Sequence, residues 1–108
     1  MTSFDDRQDK YEKKFAHDAT LRFKAEARRN KLLGLWAAGL MGKEGPDADA
    51  YAKEVIKADL EEAGDEDVFR KVRGDFDAAG IEQSDHQIRR QMEECMERAM
   101  EQIASDAQ

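Results

Sequence analysis

Residues 1–33 contain neither a proline nor a glycine, and Pro46 is the single proline of the chain. Sheets and barrels need frequent turn residues, whereas a long stretch without breakers has few folded states open to it other than helix. The residues that fill the chain agree. Ala, Glu, Lys, Arg, Leu and Met dominate and β-branched residues are scarce, which is helix-forming composition. The expected fold is all-α: a compact four-helix domain at 19–108 preceded by a mobile, helix-prone tail at 1–18.

At 108 residues the chain has the length of one domain, with about ninety residues for the core. Apolar and charged residues each make up 40%, so the surface is heavily solvated. Residues 1–18 lack the apolar stretch of a secretory signal, and no apolar run approaches the roughly twenty residues of a membrane span. A single Cys excludes an internal disulfide and suits a reducing cytoplasm. Charge is segregated: net −1 over 1–18, +4 over 19–45 and −10 over 46–108. A basic first helix facing acidic later ones is expected, and the acidic balance argues against nucleic acid as partner.

The helix boundaries follow from caps and spacing. The first helix is expected from about Ala19 to Met41, capped by Asp18 or Thr20 and ended by Gly42, with an inner stripe of Leu21, Ala25, Leu32, Leu33, Trp36 and Leu40. Gly34 and Gly39 inside it permit close approach of another helix. The second starts at Asp47 as N-cap and runs to about Ala63, with Tyr51, Ala52, Val55, Ile56 and Leu60 facing in. Asp65 caps the third, whose inner face is Val68, Phe69, Val72, Phe76 and Ala79, and Gly80 stops it. Ser84 and Gln87 form a capping box for the fourth, which carries Ile88, Met92, Cys95, Met96, Ala99 and Ile103 inward to about Ala104.

No catalytic constellation stands out, and the chain is not expected to be an enzyme. The abundant carboxylates fall on solvated faces and in first turns. Gly42-Lys43 is followed by Glu44 and has Ala37 five residues upstream, so the phosphate-loop pattern fails. His17 and His86 share no ligand spacing with other metal-binding residues. Cys95 reads as a buried thiol and the methionines as core fillers. No cofactor is expected. A pocket that weakly binds an adenine nucleotide is the alternative: Trp36 and Tyr51 stacking on a base, with Arg28, Arg29 or Lys31 facing phosphates.

The tail has its own pattern. Phe4, Tyr11 and Phe15 lie along one helical face, and Asp6–Lys10 and Asp9–Lys13 are favourable i, i+4 pairs. A helix this short is marginal in water. One reading folds the aromatics back on the body; the other orders the segment in a partner's groove. The predicted core stripes begin at Leu21, so removing 1–17 is expected to take away little buried apolar area.

Several stretches carry a specific likeness. Phe4-Asp5-Asp6-Arg7, Tyr11-Glu12-Lys13-Lys14-Phe15-Ala16-His17-Asp18, Arg28-Arg29-Asn30-Lys31-Leu32-Leu33-Gly34-Leu35-Trp36, Gly64-Asp65-Glu66-Asp67-Val68-Phe69-Arg70 and Ser84-Asp85-His86-Gln87-Ile88 resemble the zeta subunit of F-type ATP synthases, a bacterial ATPase inhibitor family. The resemblance implies a four-helix fold and an N-terminal segment that enters a catalytic α/β interface, reaches the central shaft and blocks rotation in the hydrolysing direction. Carried over by position, the partner-binding residues are Phe4, Asp5, Asp6, Arg7, Tyr11, Lys14 and Phe15. The implied partners are the catalytic α/β subunits and the shaft, and the implied place is the cytoplasmic face of the inner membrane. The free protein is expected to be a monomer.

Overall fold

The breaker-free stretch ends in a single long helix. The computed structural model describes residues 15, 17–60 and 65–106. They form four helices: α1, Ala19–Leu40; α2, Pro46–Asp59; α3, Glu66–Ala79; and α4, Asp85–Asp106. The chain is therefore the all-α, four-helix body that its composition demands. α1 packs chiefly against α2 and α4, and α3 closes the bundle against the same two helices. The tail, apart from Phe15, His17 and Asp18, lies outside the described residues, as do 61–64 and the last two.

Local chemistry explains most of the ends. Asp18 accepts the Leu21 N–H at 3.1 Å and caps α1. Ser84 Oγ accepts the Gln87 N–H at 3.0 Å while Gln87 Oε1 accepts the Ser84 N–H at 2.8 Å, the reciprocal pair expected at the start of α4. Gly80 takes the left-handed conformation at φ 72° and ends α3, and Ile81 donates back to the Phe76 carbonyl at 2.9 Å.

Three expectations at helix ends need correction. α2 begins one residue before Asp47: Gly45 is the N-cap and Pro46 the first helical residue, because proline's fixed φ and missing N–H suit that place. Asp47 then sits in the first turn, where its charge meets the helix dipole. α2 also stops at Asp59, and Leu60, expected on the inner stripe, is 70% exposed. The core-side position one turn beyond Val55 belongs to Asp59, whose carboxylate is held by α1. Asp65 makes no side-chain cap for α3, since Arg29 takes its carboxylate instead.

The main core gathers residues from all four helices, among them Leu33, Val55, Val72, Phe76 and Ile88. Trp36 meets Phe76 edge-on at 5.6 Å between ring centroids. The buried face of α1 differs from the leucine stripe expected of it. It consists of Ala25, Arg29, Asn30, Leu33, Gly34, Ala37 and Ala38, while Leu40 lies on the exposed side. Small residues let α2 come close: a Cβ on Gly34 would stand 2.6 Å from the Cα of Ala52. Gly39 has open space where its side chain would be, so close approach is a property of Gly34 alone.

Candidate functional site

A second, smaller cluster lies at the opposite end of the α1–α4 pair. Asp18 has an extended backbone, φ −118° and ψ 105°, so the chain breaks direction just before α1. That break lets Phe15 turn back onto the body, where it is only 4% exposed. It packs with Ala25 of α1 and with Met100 and Ile103 of α4, and Leu21 and Met96 close the edges. Among the described residues the core therefore starts at Phe15 rather than Leu21, and a deletion through residue 17 removes a buried aromatic.

Between the two clusters runs a polar layer. Arg29 is 2% exposed, and burying a guanidinium is tolerable only where partners surround it. Its Nε donates to Asn30 Oδ1 at 2.6 Å, and one terminal nitrogen donates to Asp65 Oδ1 at 3.0 Å and stands 3.9 Å from Asp59. Asn30 Nδ2 donates to the other side of the network, Asp59 Oδ2, at 2.9 Å. Among the described residues no buried side-chain polar atom lacks a partner. Arg28, one residue before, reaches the end of α4 through Gln102 at 2.7 Å and Asp106 at 3.5 Å. The basic α1 thus does attract acidic groups of the later elements.

A cleft of ≈ 490 Å³ opens beside this layer, lined by Arg29, Asp65, Arg89, Met92, Met96 and Met100. Glu93 and Glu97 line it as well. Arg89 pairs with Glu66 through both terminal nitrogens, at 3.1 and 3.2 Å, and covers the Phe69 ring at 4.0 Å. A second cleft is lined by Leu21, Phe23, Arg28, Lys31 and Ile56, and here Phe23 is 61% exposed. Sequence spacing offered no signal for Phe23, which is off the apolar face of α1. The methionine row did have one, a repeat of four on a single helix, but it read as ordinary core.

The five residues considered for a nucleotide do not meet in one place. Arg28 and Lys31 share the second cleft, Arg29 belongs to the first, and Trp36 is packed on Phe76. Tyr51 is buried and donates its hydroxyl to Asp75 at 2.8 Å. Burial, reinforced by that carboxylate, pushes its phenol well above the usual range. Lys71 Nζ sits 5.2 Å from the centre of the same ring and 3.0 Å from Asp75. Cys95 is a buried thiol whose pKa is raised by burial, with Gln91 opposing the shift from 3.8 Å. His17 is exposed beside Asp18. Of the partner-binding candidates, Phe15 alone falls among the described residues; Phe4, Asp5, Asp6, Arg7, Tyr11 and Lys14 lie outside them. Among the described residues no helix is long and apolar enough to cross a membrane.

Comparison with known proteins bears on the whole chain. A family model described as ATPase inhibitor subunit zeta matches residues 1–102. A protein whose structure was solved in solution by NMR is 51% identical and superposes with a TM-score of 0.71, the alignment covering 80% of this chain and 98% of that one. No curated protein matches the chain.

Proposed function

The chain belongs to the ATPase inhibitor subunit zeta family, and on that premise we propose that it restrains a rotary F-type ATP synthase by inserting its N-terminal segment at a catalytic α/β interface, against the central shaft. The observation that carries this reading is the extent of the family match, which begins at residue 1 and so includes the whole segment. The mechanism is steric. A rotary ATPase passes each catalytic interface through several conformations, and a helix that fits one of them selects it and stops the cycle in the hydrolysing direction.

Phe4, Tyr11 and Phe15 are the anchors on this reading, Phe15 leaving its seat on the body to join the other two, because aromatic residues on one helical face dominate helix-in-groove binding. Asp5, Asp6, Arg7 and Lys14 form the polar rim that sets register and association rate. Ordering the segment on contact uses roughly 2–5 kcal/mol of the gross interaction energy. The four-helix body holds the segment near its groove and raises its effective concentration there. The protein acts as a monomeric regulator without catalysis of its own, at the cytoplasmic face of the inner membrane where the ATPase resides.

The test is hydrolysis by the cognate ATPase with added protein. The full chain should inhibit, and a chain lacking residues 1–14 should not. The deletion stops at 14 because Phe15 belongs to the body's second cluster. Ala at both Phe4 and Tyr11 should weaken inhibition, while charge reversal at Lys53, exposed on α2, should leave it unchanged. A 1–14 deletion that inhibits as well as the full chain would overturn the assignment and move the contact to the body.

A further inference from the structure

We propose that the cleft beside Phe23 is the body's own docking site on the ATPase, and that its occupant is an acidic amphipathic helix of the ATPase surface. This deepens the inhibitory reading above and rests on it: the N-terminal segment stops the cycle, and the cleft holds the body in place meanwhile.

Exposure supplies the first argument. Phe23 is 61% exposed, whereas Phe15, Tyr51, Phe69 and Phe76 are buried. A lone exposed apolar side chain is ordinary, but this one is not alone. Leu21 of α1, Ile56 of α2 and Ile103 of α4 line the same cleft of ≈ 540 Å³. Ala27, one turn beyond Phe23, also lines it and fills little of it. Three helices thus present apolar side chains to one opening, which is the kind of groove that takes the apolar row of a partner helix.

Charge supplies the second. Lys24, Arg28 and Lys31 line the cleft with a single carboxylate, Asp106. That carboxylate stands 3.5 Å from Arg28. Among the described residues Lys24 and Lys31 have no ion-pair partner, and both are exposed. Arg29, Lys71, Arg73 and Arg89, by contrast, are all engaged by carboxylates of the body. The cleft therefore keeps two uncompensated cations in a chain whose net charge is −7. A partner surface rich in Asp and Glu is drawn to this face and repelled by the acidic helices that follow α1.

Spacing supplies the third. Lys24 and Lys31 are seven residues apart on α1, two turns and about 10 Å of rise, so they share one face. Cations spread this far do not converge on one small anion. They match carboxylates two turns apart on a helix lying along α1, with the apolar residues of the intervening turn against Phe23 and Ile56.

Docking at this cleft turns insertion of the N-terminal segment into an intramolecular step. Because the first contact is steered by exposed charge, added salt should slow it.

A photo-cross-linking experiment tests the docking. In the full chain Phe23 is replaced by the photoreactive benzoylphenylalanine, and the protein is irradiated with the purified cognate ATPase. The same label at Lys53, exposed on α2, is the control. The label at 23 should cross-link at least about tenfold more than the label at 53, since docking raises its local concentration. The captured ATPase peptide should be a helix with Asp or Glu two turns apart. Equal yields, a captured segment without such carboxylates, or a link to a second copy of this chain would each overturn the proposal. The surface double variant Lys24→Glu, Lys31→Glu tests the charge. It should raise the concentration needed for half-inhibition at low salt on the order of tenfold. An unchanged or lower concentration would overturn the proposal. So would binding of the full chain to phosphatidylserine vesicles that this variant loses, which would give the cleft to a membrane surface. If the chain cross-links from position 23 without inhibiting, the inhibitory reading falls and the docking stands; if it inhibits without cross-linking, the docking alone falls.

Discussion

The two ends of the α1–α4 pair are built differently. One end is closed by side chains from all four helices, with Phe76, Val72, Val55, Leu33 and Ile88 shut off from solvent. Among the described residues the other is made of α1, α4 and one aromatic from outside the bundle, Phe15, and two of its partners are methionines, Met96 and Met100. Dense branched and aromatic packing fixes one arrangement, whereas flexible thioethers accept a side chain and release it with less loss. The first end is where the body's stability resides. The second is where the tail joins it.

The largest expected effect tests the first end. Phe76→Ala should lower unfolding free energy by about 4 kcal/mol, read as a shift in urea midpoint at unchanged slope. A loss below about 1 kcal/mol would mean that this end does not dominate. Next comes the layer between them. Arg29→Ala leaves Asn30, Asp59 and Asp65 without their cation and should cost about 3 kcal/mol in the same measurement. Were the loss negligible, the two clusters would be one continuous core and the contrast would vanish. The smallest effect belongs to the second end. Phe15→Ala should cost about 2 kcal/mol locally, seen as faster amide exchange in the first turn of α1 and the last turns of α4, with little movement of the global transition. A drop in global stability as large as that of Phe76→Ala would merge the two ends energetically.

Local signals are legible in the sequence, and distant ones are not. The Ser84–Gln87 box and the Gly80 stop involve groups within four residues, so their chemistry is visible in the chain itself. Asp65 also looked like a cap, and nothing local shows that Arg29, thirty-six positions away, takes its carboxylate. The buried face of α1 differs from its leucine spacing for a related reason. Tight helix contact selects for absence of bulk, and Ala, Gly and Asn give no hydrophobic signal, whereas Leu40 gives one and stays exposed. Leu60 had the right spacing but lies beyond the end of its helix. The aromatic content of the tail was legible as well; that Phe15 has a seat on the body depends on α4, eighty-five residues later, and only the fold brings Met100 to it. The candidate nucleotide residues show the converse: suitable types within one sequence region, dispersed by helical geometry to separate faces.

The Arg29–Asn30 pair grips Asp59 at the end of α2 and Asp65 at the start of α3. Both ends of the α2–α3 connection are thus clamped from outside it, and its length is decoupled from the packing of the helices it joins. Once the ends are fixed, lengthening such a connection adds closure entropy only slowly, about 0.6 kcal/mol for each doubling. The connection is accordingly the place to splice in a fluorescent reporter or an affinity epitope: an insertion after Leu60 would leave both clusters and the N-terminal segment intact, giving a labelled protein whose binding and release can be followed in real time.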